Sequence, residues 1–204
     1  RKDFTSEDII GVVKDLNDLK VLIVGDVILD EYVFCKAMGK PEKAAVVSTK
    51  FLYHEMYAGG SLAVANHVAG FAKTVQLVSC LGNARKDEFI TKHLRENIQT
   101  KFFIRKDAPT IVKTRYLEKF ERSKLFEVSQ INDEFIDQQL EKSIIDYLHR
   151  FIPRYDMVIV VDFGHGLVTP KMQEAIVKKS RFTAVNAQTN SINFGFNMIT
   201  KYRN

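Results

Sequence analysis

The sequence predicts an α/β protein built on a mostly parallel sheet with helices on both faces, and three observations carry that prediction. Short continuous apolar runs, KVLIVG (20–25), VQLVSC (75–80) and MVIVVDF (157–163), have the composition of strands buried on both sides. Segments with apolar residues at helical spacing lie between them, so strand and helix alternate along the chain. Capping residues mark helix starts: Thr5 with Asp8, and Thr169 followed by Pro170.

Taken in order, the first helix follows Thr5, with Ile9, Val13 and Leu16 on one stripe. KVLIVG is the first central strand. AAVVSTK (44–50) and FLYHEMYA (51–58) have strand character and lead into Gly59-Gly60, which opens a small-residue helix reaching about Phe71. VQLVSC is the next buried strand and DEFITKHLREN (87–97) the next helix. KFFIRK (101–106), TIVKTRYLEK (110–119) and SKLFEVS (123–129) read as successive strands with partial alternation. Asp133 is the expected cap of a long helix whose stripe is Phe135, Ile136, Leu140, Ile144, Leu148 and Ile152. MVIVVDF, the helix KMQEAIVKK and the strand FTAVNA (182–187) complete the pattern. Residues 44–57 and 101–129 have no helix between their strands and are expected to form a small antiparallel sheet apart from the main one.

The chain has 204 residues, 46% apolar and 27% charged, enough to bury a core of ordinary size. Its net charge of +5 is dispersed: KTRYLEKFERSK (113–124) interleaves Glu118 and Glu121 among its five cations. That pattern suits a site for small anions better than a nucleic-acid surface, so no nucleic-acid partner is expected. Cys35 and Cys80, both in apolar surroundings, read as reduced thiols of a cytoplasmic protein. No apolar run approaches the roughly 20 residues that span a bilayer, and no membrane partner is expected.

Ligands of open α/β sheets bind beyond the carboxyl ends of the strands. Three such ends carry polar chemistry here: GDVILD with Asp26 and Asp30; VDFGHG with Asp162, Gly164, His165 and Gly166; and VNAQTNS with Asn186, Gln188 and Asn190. The pair Gly59-Gly60 marks a backbone that takes positive φ or that something approaches closely, and a tight turn with nothing bound fits equally. VGDVIL lacks the G-x-G-x-x-G of a dinucleotide-binding strand turn, which argues against a Rossmann domain.

GDVILDEY, PEKAAVV, AGGSLAVANHVAGF, KTRYLEKFERSKLFEV and VVDFGHG, in that order, resemble the ribokinase-like (phosphofructokinase-B type) carbohydrate kinases. Within them the likeness is greatest to the heptose 7-phosphate kinase domain of bifunctional ADP-heptose synthases. It covers roughly residues 20 to 190. The resemblance implies a parallel sheet with a small β-lid, a homodimer clasped through that lid, ATP and Mg²⁺ as cofactors, and a sugar or sugar phosphate as substrate. It implies that Asp30 accepts hydrogen bonds from sugar hydroxyls and that Gly59 and Gly60 let the backbone approach the sugar. Lys113 and Arg115 correspond to a strand facing the phosphorylated sugar. Asp162, Gly164, His165 and Asn186 correspond to the phosphoryl-transfer end.

Two departures qualify the likeness. Ala63 stands where the family has an asparagine, and Asn66, one turn on, is its expected substitute. Neither the family's Gly-Ala-Gly-Asp, whose aspartate is the catalytic base, nor a Walker-type loop occurs in these 204 residues. The chain therefore reads as the N-terminal portion of a kinase domain, with no catalytic base and no metal ligand set of its own, inactive by itself. A non-catalytic sugar-binding or dimerisation module is the rival reading.

Overall fold

A computed structural model describes residues 4–39, 46–83, 87–188 and 202. The main sheet contains five strands in the order β5-β4-β1-β8-β9: β1 (Lys20–Gly25), β4 (Thr74–Leu81), β5 (Ile98–Ile104), β8 (Met157–Asp162) and β9 (Thr183–Ala187). Every pairing within it is parallel. Residues on β1 alternate between two cores. Val21 and Ile23 pack on one face with Leu62 and Ala65 of α2 (Ser61–Val68) and Ile90 of α3 (Asp87–Lys92). Leu22 and Val24 pack on the other with Ile144 and Leu148 of α4 (Gln138–Phe151) and Met172 and Ile176 of α5 (Pro170–Lys179). This two-sided burial is why the central strands read as unbroken apolar runs.

α1 (Ser6–Leu16) starts at a capping box in which the Thr5 side chain accepts from the Asp8 N–H and the Asp8 carboxylate accepts from the Thr5 N–H. None of its residues is buried. α5 is capped by Thr169 with Pro170 at the first helical position.

A second, four-stranded sheet has the order β3-β2-β6-β7: β2 (Val27–Gly39), β3 (Ser48–Gly60), β6 (Ile111–Glu118) and β7 (Lys124–Gln130). β2 pairs antiparallel with β3 and parallel with β6, and β6 pairs antiparallel with β7. It is rooted in the main core through Leu29 and Val112.

The structure departs from the sequence reading in five places, one of which is the helix read over 87–97, which stops at Lys92 as α3. Residues 101–104 belong to β5, an edge strand of the parallel sheet beside β4, and not to the small sheet, which is mixed rather than antiparallel. β2, equal in length to β3, carries VILDEY, which follows β1 so closely in sequence that it reads as the end of that strand. The small-residue helix stops at Val68 rather than near Phe71. The long helix is capped by Asp137, whose carboxylate accepts from the Gln139 and Leu140 N–H groups at 2.8 and 2.9 Å. Asp133 lies upstream and engages His165, and Phe135 is largely outside the buried stripe.

Candidate functional site

β2 leaves the carboxyl end of β1 after Asp26 and carries Asp30 out along the second sheet. Its register with β3 and β6 places Asp30 between Tyr57 and Lys113, and Tyr32 between Glu55 and Arg115. Because side chains alternate across a strand, Asp30, Tyr32 and Phe34 share one face. That face lines a cavity of ≈ 690 Å³ together with Tyr53, Tyr57, Gly59 and Ala63. Lys119 and Arg122, from the turn between β6 and β7, close one side of it.

The Asp30 carboxylate accepts a hydrogen bond from Nη1 of Arg115. Arg115 turns its Nε to Glu127 Oε2 at 3.0 Å, and its guanidinium lies 5.3 Å from the Tyr32 ring centre. Partial burial works against the Arg115 charge, but its hydrogen bond to Asp30 and the surrounding carboxylates raise its pKa. The opposed effect holds Glu127 low: burial pushes it up, and the Arg115 and Lys124 charges more than offset this. Arg115 is thus committed to two carboxylates and organises the site rather than offering a free cation.

The two glycines have different reasons to lack a side chain. A Cβ on Gly59 would fall inside the Asp30 carboxylate. Gly60 has φ +56°, and a Cβ there would lie 2.5 Å from the Asp26 carbonyl oxygen. That same carbonyl accepts from the Ser61 N–H at 2.9 Å, so Gly60 seats the start of α2 on the end of β1. The close approach at this pair is made by the protein's own Asp30 and Asp26.

A second cluster sits at the carboxyl ends of β1 and β8. Asp26 is buried and accepts from the Phe163 N–H at 3.1 Å. Burial, reinforced by the Asp162 charge, pushes its pKa up to about 7. Asp162 Oδ1 accepts from the Gly164 N–H at 3.0 Å. The buried His165 ring holds Asp133 Oδ1 through Nδ1 at 2.7 Å, while its Nε2 has no hydrogen-bond partner among the described residues. Burial lowers the His165 pKa, with the Asp133 hydrogen bond opposing. Arg105, also buried, donates to the carbonyls of Asn132, His165 and Glu134 and so ties this loop to the end of β5. A cavity of ≈ 30 Å³ lies among Asp26, Arg105, Asn132 and His165.

Asp30 and Gly59 therefore meet in one cavity, with Gly60 next to it. Lys113 acts on Asp26 and His165 electrostatically and does not line that cavity. Asp162, Gly164 and His165 stand together at the main-sheet edge. Asn186 is exposed on β9, in register with Val161. Asn190 lies outside the described residues. Asn66 stands away from the cavity: its amide donates to the His93 carbonyl at 2.7 Å and accepts from the Arg95 N–H at 3.1 Å, so it pins α2 to the segment after α3. Ala63, not Asn66, lines the cavity. The aromatic wall of Tyr32, Phe34, Tyr53 and Tyr57 went unnoticed in the sequence. Its signal was present as period-two spacing on two consecutive strands, with Tyr57 edge-on to Tyr32 and Tyr53 stacked on Phe34.

No family model matches the chain. It is 22% identical over 161 residues to the bifunctional protein HldE of Nitratiruptor sp., covering 79% of this chain and 34% of that protein. It thus spans about a third of the length of such relatives. Among solved structures it resembles phosphofructokinase-2 from Escherichia coli in complex with fructose-6-phosphate, with TM-score 0.59 and 10% identity over 85% of this chain and 56% of the other. It also resembles Arabidopsis thaliana ribokinase complexed with ribose and ATP, with TM-score 0.54 and 13% identity over 82% and 53% of the two chains.

Proposed function

Since this chain has the ribokinase-like fold and is related in sequence to the bifunctional HldE proteins, we propose that it is the N-terminal, sugar-binding portion of an ATP-dependent carbohydrate kinase. The reading extends to its substrate, a sugar or sugar phosphate of the heptose 7-phosphate type, and to its place in the cytoplasm. The observation that carries it is the Asp30 carboxylate, set against Gly59 on the wall of a large cavity and held in place by Arg115. A carboxylate accepts from two adjacent sugar hydroxyls, and aromatic rings such as Tyr32 and Tyr57 pack on the apolar face of a sugar ring.

In this reading Asp30 binds and orients the sugar, and Gly59 leaves the space in which its carboxylate stands. The second sheet covers the sugar as a lid. ATP and Mg²⁺ supply the phosphoryl group and the charge that neutralises it. The chain does not fit them by itself: its sequence has no Gly-Ala-Gly-Asp or Walker-type loop, and among the described residues no three His, Cys, Asp or Glu side chains gather to hold a metal. The phosphoryl-transfer machinery belongs, in this proposal, to polypeptide beyond these residues.

The proposed partner is a second copy of the chain, joined through the second sheet. On the face opposite the cavity, Phe51, Phe126 and Val128 are exposed, and Tyr116 stacks on Phe126. An apolar sheet face of this kind is covered by a partner in stable proteins. Val112 is not part of that surface, since it is buried in the main core.

A non-catalytic sugar-binding or dimerisation module is the second reading, favoured by the missing Gly-Ala-Gly-Asp. Both readings predict that the 204-residue chain alone shows no ATP-dependent phosphorylation of a sugar. Turnover above background, lost in Asp162→Ala, would overturn that expectation. The two readings separate on the downstream coding sequence, where a Gly-Ala-Gly-Asp motif supports the kinase.

A further inference from the structure

We infer that the turn between β6 and β7 reads the anionic end of the substrate, with Lys119 and Arg122 as the residues that select a phosphorylated sugar over its unphosphorylated form. The inference rests on the sugar-site reading of the Asp30 cavity and adds to it where the phosphate goes.

The resemblance had pointed to Lys113 and Arg115 for that role. Arg115 is already paired with Asp30 and Glu127, and Lys113 does not line the cavity. Lys119 and Arg122 do line it, and neither makes an ion pair among the described residues. The other charged groups on the wall are accounted for: Asp30 holds Arg115, and Glu55 Oε2 accepts from the Tyr57 hydroxyl at 2.7 Å.

The turn is built to hold these cations there. Glu118 Oε2 accepts from the Phe120 and Glu121 N–H groups at 2.7 and 2.8 Å, and the Glu118 N–H donates to the Ser123 carbonyl. Arg122 takes φ +53°, a left-handed conformation that is costly for a residue with a side chain. At the base of the turn the Lys119 N–H donates to the Cys35 carbonyl at 2.9 Å, which fixes its position beside β2. The Lys119 ammonium lies 5.5 Å from the centre of the Tyr53 ring.

Tyr53 is in register with Phe34, four residues along β2 from Asp30, so the Lys119 ammonium beside the Tyr53 ring stands further along the same cavity face than the carboxylate. A sugar ring lying along the wall of Tyr32 and Phe34 would turn hydroxyls to Asp30 and a phosphate on a terminal carbon toward the turn.

The test is calorimetric titration of the 204-residue chain with an aldoheptose 7-phosphate and with the same aldoheptose lacking the phosphate. The expected result is that the phosphorylated sugar binds at least about tenfold more tightly. Lys119→Gln combined with Arg122→Gly should bring it down to the affinity of the plain sugar; glycine suits the positive φ, so the turn keeps its shape. A double variant that keeps the preference overturns the inference while leaving the sugar site standing, as does equal binding of both sugars by the parent chain. A parent chain that binds neither sugar removes the sugar-site reading itself, and this inference with it.

Discussion

Gly59 and Asp30 share one space: a side chain at position 59 would occupy the place of the Asp30 carboxylate. The neighbouring Gly60 is constrained by backbone instead, through its φ of +56° and the Asp26 carbonyl 2.5 Å from where its Cβ would stand. Two adjacent glycines thus serve different ends, one the site and the other the fold.

Alanine substitutions should separate these roles. Gly59→Ala is expected to displace the Asp30 side chain and abolish sugar binding while the protein still folds. Gly60→Ala is expected to cost about 1–3 kcal/mol of stability, because both its φ and the backbone contact resist a Cβ. Chemical denaturation of both variants checks the pair, and equal stability losses would contradict the division.

Arg115→Ala should weaken sugar binding and lower stability by about 1–2 kcal/mol. It removes the partner of both Asp30 and Glu127, leaving two half-buried carboxylates without their shared cation. Denaturant titration measures the stability change. An unchanged midpoint would show that the exposed parts of these pairs dominate.

Asp26 predicts a pH dependence of stability. Its folded pKa, raised to about 7 by burial and then by the Asp162 charge, lies above that of a carboxyl in the unfolded chain. Below about pH 4 the group is protonated in both states, and its contribution is fully present. Between about pH 4 and 7 the folded state holds a proton that the unfolded chain has released, so stability falls as pH rises, by at most about 1.4 kcal/mol per unit. Asp26→Asn should flatten this slope in melting curves recorded across that window. A slope identical to the parent's would remove Asp26 as its source.

The proposed dimer predicts a discrete species in light scattering across a dilution series, dissociated by Phe126→Asp or Val128→Asp. Both residues are exposed, so these substitutions leave the main core intact. A monomer at micromolar concentration would remove the clasp.

The parallel core was legible because strands buried on both faces are continuously apolar, and because Thr5 and Thr169 are unambiguous caps. β2 was not, since half of its length leaves the core: in VILDEYVFCKAMG the alternation is broken by Asp30-Glu31, which sit on opposite faces of the second sheet. β5 was misplaced because nothing local distinguishes an edge strand of one sheet from a strand of another; only its pairing with β4 decides. Asp133 and Asp137 are both sound N-caps by residue type, and the difference is tertiary, as His165 takes Asp133. Asp30 and Gly59 stand out in the sequence only through a family likeness, and the bonds that engage Asn66 are invisible there because its partners, His93 and Arg95, lie about 30 residues away.

The most direct test is a crystal structure of the chain with an aldoheptose 7-phosphate. The account predicts the sugar in the cavity between the aromatic wall and Gly59, with hydroxyls within hydrogen-bonding distance of Asp30. A sugar bound elsewhere, or in that cavity with no contact to Asp30, would contradict it.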